Sequence, residues 1–228
     1  MVEESVTQRA IADPVGAAGA IRRLTPEMRR EQTRAYLLES AAAVFAAKGY
    51  HAASLDEIAE AAGFTRGAIY SNFGGKEGLF MALVEHRQQA MVSEFFGALD
   101  PAADRSERLQ ALREVSSRLM PTPSEWALFQ EFELFAFRNP ELRERLVVAG
   151  QKPMTAVARV LQNRCEAAGV EPPLPARDLA RLCVGVIAAA AAERALDPES
   201  VSDEEIARTL LLVVDFITGA SPPFEALE

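Results

Sequence analysis

The stretch Ser54–Phe80, SLDEIAEAAGFTRGAIYSNFGGKEGLF, constrains the fold more than any other part of the chain. It sets two short helix signals around a glycine turn and closes on a glycine pair before a lysine. Ser54 is placed to cap the first helix with its hydroxyl, Glu57 completes a capping box, and Leu55, Ile58, Ala59 and Ala62 recur at helical spacing. Gly63 permits the tight turn, and Thr65 is placed to cap a second helix whose buried anchors are Ile69 and Phe73. That second helix presents small and polar side chains outward, which suits a DNA major groove. Its geometry gives base-edge roles to four residues. The Arg66 guanidinium can fork onto guanine O6 and N7, Gly67 and Ala68 let the backbone come close, and Ser71 lies one turn on.

Helix signals continue on both sides. Thr25-Pro26-Glu27 is a helix start, Leu37, Leu38, Ala41, Val44 and Phe45 supply an inner stripe, and Gly49 closes the helix. A long helix runs from Lys76 to about Phe96 and links this unit to the rest. Further helices are predicted at 104–119, 124–138, 140–168, 176–196 and 203–219, separated by prolines such as Pro101, Pro121, Pro123, Pro140, Pro172, Pro173, Pro175 and Pro198. Alternating β-branched segments are missing, so the expected fold is all-α with about nine helices.

The run AGFTRGAIYSNFGGKEGLF, with the preceding RREQTRAYLLESAAAVFAAKGYHAASLDEIA, resembles the tetracycline-repressor (TetR) family of bacterial transcriptional regulators over about residues 25 to 88. The resemblance implies a helix-turn-helix DNA-binding domain over 25–75. It also implies a ligand-binding and dimerisation domain over 76–220 whose linking helix is 76–96. The ends, 1–24 and 221–228, read as flexible tails. Matching positions in the family commonly hold the DNA backbone, which makes Thr65, Tyr70, Asn72 and Lys76 phosphate candidates, Lys76 adding its charge at a helix N-terminus. The implied partners are double-stranded DNA with a palindromic operator, a small-molecule effector and a second copy of the chain.

Charge distribution agrees with local contact. The net charge is −9, of which residues 1–88 carry −1 and residues 89–228 carry −8. Within residues 21–36 the balance reverses, with Arg22, Arg23, Arg29, Arg30 and Arg34 against Glu27 and Glu31. Positive charge therefore sits near the reader, and an acidic remainder keeps other surfaces off DNA.

In SEWALFQEFELFAFRNPE, helical geometry groups Trp126, Phe129 and Phe137 on one side with Gln130 and Glu133 among them, and puts Glu131 and Arg138 on the wetter side. Glu133 either meets a cation of a neighbouring helix or faces a cavity beside Trp126; Met154 is a further candidate lining residue. The last two helices carry Leu179, Leu182, Val186, Ile206, Leu210, Val213, Val214 and Ile217, too much apolar surface for one-sided packing, and a partner subunit is the simplest cover.

Cys165 and Cys183 lack metal or redox spacing and read as buried free thiols of a reducing cytoplasm, and the apolar run Leu182–Ala192 is short for a membrane span. His51 and His86 pair with no Cys, Asp or Glu at metal or triad spacing, so neither a metal, a cofactor nor catalysis is expected. The leading expectation is a ligand-responsive repressor. A regulator answering to a protein partner or to no ligand is the alternative, and an all-α enzyme fits least.

Overall fold

The computed structural model describes residues 25–100 and 102–219; the two predicted tails, with Arg22 and Arg23, lie outside them. The described residues form nine helices and no strand: α1 (Pro26–Ala52), α2 (Leu55–Ala62), α3 (Arg66–Phe73), α4 (Lys76–Gly97), α5 (Arg105–Leu119), α6 (Pro123–Phe137), α7 (Pro140–Ala168), α8 (Ala176–Leu196) and α9 (Asp203–Ile217). The likeness to the helix list expected from sequence follows from local chemistry at the ends. The Thr25 hydroxyl accepts the Met28 N–H at 3.2 Å. Ser54 and Glu57 form the expected reciprocal box, as do Asp104 with Glu107, Thr122 with Glu125 and Ser202 with Glu205. Thr65 departs from expectation: it occupies the cap position of α3, but its side chain makes no capping hydrogen bond.

Gly49 does end the regular part of α1, at φ +79°, and the chain then makes one more turn through Tyr50 and His51. Pro153 sits inside α7 without ending it.

Two cores organise the helices. The first joins Leu37 and Phe45 of α1, Ile58 of α2, Ile69 of α3 and Leu79 and Phe80 of α4 to Leu128 and Phe132 of α6 and Leu142 of α7. The helix-turn-helix unit is thus packed onto α6 rather than hanging from α4 alone. Tyr50 lies at the centre of this seam, its ring within 6 Å of those of Phe45, Phe80 and Phe132. The second core joins Phe95 and Leu99 to Leu112 of α5, Leu161 and Cys165 of α7, Leu179 and Cys183 of α8, and Leu210 and Val214 of α9. Both cysteines are buried and free. Asp215, 1% exposed, is held inside this bundle by Arg105 and Arg108.

Candidate nucleic-acid interface

The outer face of α3 is assembled from residues that the core has no use for. Ile69 is fully buried and Phe73 packs against the first core, which fixes the rotation of the short helix. Thr65, Arg66, Gly67, Tyr70 and Ser71 consequently face solvent, with Ala68 half-buried at the edge. A methyl at Gly67 would meet nothing within the chain closer than the Thr65 hydroxyl at 3.6 Å. Nothing internal demands glycine there, and the open backbone leaves room for a ligand surface to approach. At Gly78 the demand is internal, since a Cβ would lie 1.8 Å from the Phe73 carbonyl oxygen, so α4 can follow α3 this closely only without a side chain.

Arg66 is not a free cation. Its Nη1 donates to Asp56 Oδ2 at 3.1 Å, its Nη2 to the Tyr70 hydroxyl at 3.2 Å, and its guanidinium carbon stands 5.6 Å from the Tyr70 ring centre. The Tyr70 hydrogen bond and then the Asp56 charge push the guanidinium pKa further up. Asp56 is a residue that reading the sequence missed; its only signal was a carboxylate on the preceding helix, across the Gly63 turn.

Two phosphate candidates are otherwise engaged. Lys76 Nζ donates to the His51 carbonyl at 3.0 Å and lies 4.9 Å from the Tyr50 ring centre, where burial lowers its pKa. Its ammonium closes the end of α1 instead of standing out beside α4. The Asn72 amide nitrogen donates to the Ala68 carbonyl at 2.8 Å and its Oδ1 is buried without a partner, so this side chain lies along its own helix. Arg34 braces the same spot, donating to the Asn72 carbonyl at 3.1 Å over the Phe73 ring. Tyr70, Thr65 and Ser71 remain exposed, the Ser71 hydroxyl donating to the Ala68 carbonyl.

The aromatic residues of α6 are arranged differently from expectation. Glu131 is half-buried and accepts the backbone N–H groups of Tyr50 and His51, because the packing of Phe132 against α1 turns this side of α6 inward. Phe137 is 65% exposed, and Glu133 is exposed and accepts from Gln130 at 3.2 Å rather than meeting a cation. Trp126 is half-buried, Phe129 packs beside Phe80 and the Arg87 guanidinium, and Met154 packs on the second core. A groove of about 890 Å³ lies between α4 and α7. Met81, Gln88 and Val92 on one wall face Arg145, Val148 and Lys152 on the other. None of Trp126, Phe129, Gln130, Glu133, Phe137 and Met154 lines it.

The apolar residues of α8 and α9 also divide. Leu179, Ile206, Leu210, Val214 and Ile217 are buried in the chain's own bundle, because these two helices pack on each other and on α5 and α7. Left outward are Leu182 and Phe216, each about half exposed, with Gly185, Ala188 and Ala189 exposed and Val186 and Val213 partly covered. No helix among the described residues is long and apolar enough to cross a membrane, and no metal-binding cluster occurs among them.

Comparison with known proteins agrees with the helix-turn-helix geometry. Residues 37–83 match the profile of the bacterial regulatory proteins of the tetR family. The chain is 38% identical to the transcriptional activator FasR of Mycolicibacterium smegmatis over 37% of its own length and 39% of that protein's. It is 43% identical to the transcriptional repressor AcnR of Corynebacterium glutamicum over 27% of its length and 35% of that protein's. The matched segments therefore span little more than a third of either relative. In three dimensions the chain is similar to the transcriptional regulator FadR of Bacillus subtilis, solved in complex with stearoyl-CoA, with a TM-score of 0.58 at 17% identity, covering 81% of this chain and 98% of that one. With three helices, a capped glycine turn and a matching profile in one register, residues 37–83 form a helix-turn-helix unit of the tetR-family type.

Proposed function

We propose that this protein is a dimeric, sequence-specific DNA-binding transcription regulator of the cytoplasm, most simply a repressor, which lays α3 of each subunit in the major groove of a palindromic operator. The observation that carries this reading is the outward face of α3, where Arg66, Gly67 and Ser71 are exposed while Ile69 anchors the helix from behind. Thr65 and Tyr70 are the side chains available for phosphates, and the start of α4, which has no side-chain cap, offers backbone N–H groups to an anion. The half-exposed Leu182 and Phe216 support a partner subunit seated across α8 and α9.

An effector fits the α4–α7 groove better than the exposed end of α6. One wall of that groove is α4, whose first turn carries Lys76 and Gly78 against the reader, so a ligand that displaces α4 moves the reader with it. That a similarly folded regulator, FadR, was solved with stearoyl-CoA supports a ligand-responsive body. The test is binding by the full chain and by Arg66→Ala to duplexes enriched from a random-sequence pool. The reading expects enrichment of a palindrome by the first and loss of preference, about 1 to 3 kcal/mol, by the second. Failure of the full chain to enrich any sequence would overturn it.

A further inference from the structure

We propose that Asp56, on α2, is a specificity-determining positioning residue for DNA reading: it holds the Arg66 guanidinium as a directed donor fork and keeps it off the phosphates. The proposal rests on the reading that α3 lies in the major groove. Arg66 is gripped from two sides, Nη1 by Asp56 Oδ2 at 3.1 Å and Nη2 by the Tyr70 hydroxyl at 3.2 Å, with the Tyr70 ring beside it. The grips come from different helices, α2 and α3, and together they set the direction in which the guanidinium fork points.

A guanidinium carries five N–H groups, and these two contacts engage two of them. One N–H on each terminal nitrogen and the Nε–H are left, which suffices for the two parallel bonds that guanine O6 and N7 accept. An Arg at the start of a surface helix would, without such a partner, be drawn to the nearest phosphate as a mobile charge. Paired with Asp56 it has no net charge, so long-range attraction to the backbone is largely cancelled while its directional donors remain. The pair has little to do with stability. Both side chains are more than half exposed, and exposed pairs of this kind contribute only ~0 to 1 kcal/mol. Its position on the reading face is what gives it a consequence.

The experiment repeats the enrichment from a random duplex pool with the full-length chain and with Asp56→Asn, Asp56→Ala, Asp56→Glu and Arg66→Ala, followed by titration of each against the winning duplex, its single-base variants and an unrelated duplex. Asp56→Asn and Asp56→Ala should bind the unrelated duplex more tightly. They should also lose about tenfold or more of the preference at one base pair per half-site, the same pair that Arg66→Ala flattens. Asp56→Glu should recover part of that preference, a result that a merely structural role would not give. Unchanged base ratios in the Asp56 variants, with the parent still selecting a palindrome, would overturn the role of Asp56 and leave the reader standing. If the parent selects no sequence, the DNA-reading proposal falls and this one with it.

Discussion

Glu131 lies 81 positions beyond Tyr50 in the chain, yet its Oε2 accepts the Tyr50 backbone N–H at 3.0 Å and its Oε1 accepts that of His51 at the same distance. The kink at Gly49 strips these two N–H groups of their helical acceptors, and a carboxylate from α6 replaces them. One side chain therefore ties the reader to the body. Replacing Glu131 by Ala should destabilise the protein by about 2 to 4 kcal/mol, less than the ~3 to 6 kcal/mol of two fully buried hydrogen bonds to a charged acceptor because the Glu131 side chain is 33% exposed, read by urea denaturation.

Gly49 and Glu131 should also prove coupled. Gly49 has φ +79°, and a Cβ there would stand 2.8 Å from Glu131 Oε2. Gly49→Ala is expected to cost roughly 1 to 3 kcal/mol from backbone strain and crowding. In a double-mutant cycle with Glu131→Ala the crowding part should vanish, so the double variant is less destabilised than the two single changes added together.

Helix ends were legible in the sequence because their causes are local: a hydroxyl or carboxylate at the cap, a glutamate three residues on, a proline in the first turn. The burial of Ile69 and the exposure of Arg66, Gly67 and Ser71 followed from helical spacing alone. Contacts made across long separations were not legible. Spacing around α6 could sort its residues by face, but not tell that the face holding Glu131 meets the end of α1. Lys76 read as a charge beside phosphates because its helix position was visible and the His51 carbonyl next to it was not. Composition likewise indicated that α8 and α9 are apolar on two faces without telling which of Leu179 and Leu182 turns inward.

Asp215 should be the costliest polar residue to remove from the body. It is 1% exposed, with Arg105 Nε at 3.3 Å and Arg108 Nη1 at 3.4 Å, and Arg108 itself is mostly buried. Asp215→Ala leaves those guanidinium groups without their acceptor, and Arg164 beside them already has its pKa lowered, by burial first and by the Arg108 charge second. A loss of about 3 to 5 kcal/mol is expected in guanidinium denaturation.

Glu57 gives the reader a defined acid limit. The Lys48 ammonium, then the Ser54 backbone N–H and hydroxyl, hold its carboxyl down at about 2, against an ordinary value of 4.5. A depressed folded pKa contributes stability above the unfolded value, which is lost as pH falls from 4.5 toward 2. Thermal unfolding followed across that window should fall more steeply for the parent than for Glu57→Gln, and the gap between them should stay constant between pH 6 and 8 (roughly neutral conditions).

Outward residues of α8 and α9 should control assembly. Leu182→Glu or Phe216→Glu places a charge on a half-exposed apolar face without touching the subunit's own core. Sedimentation is expected to show a dimer for the parent and a helical single subunit for either variant.

The most direct test of the central claim is a hydroxyl-radical footprint of the full-length protein on the palindrome it selects. Two protected segments related by a dyad, their centres about one helical turn or slightly more apart at ~34 to 36 Å, with both lost in Arg66→Ala, are predicted. A single asymmetric footprint, or protection that survives Arg66→Ala unchanged, would contradict it.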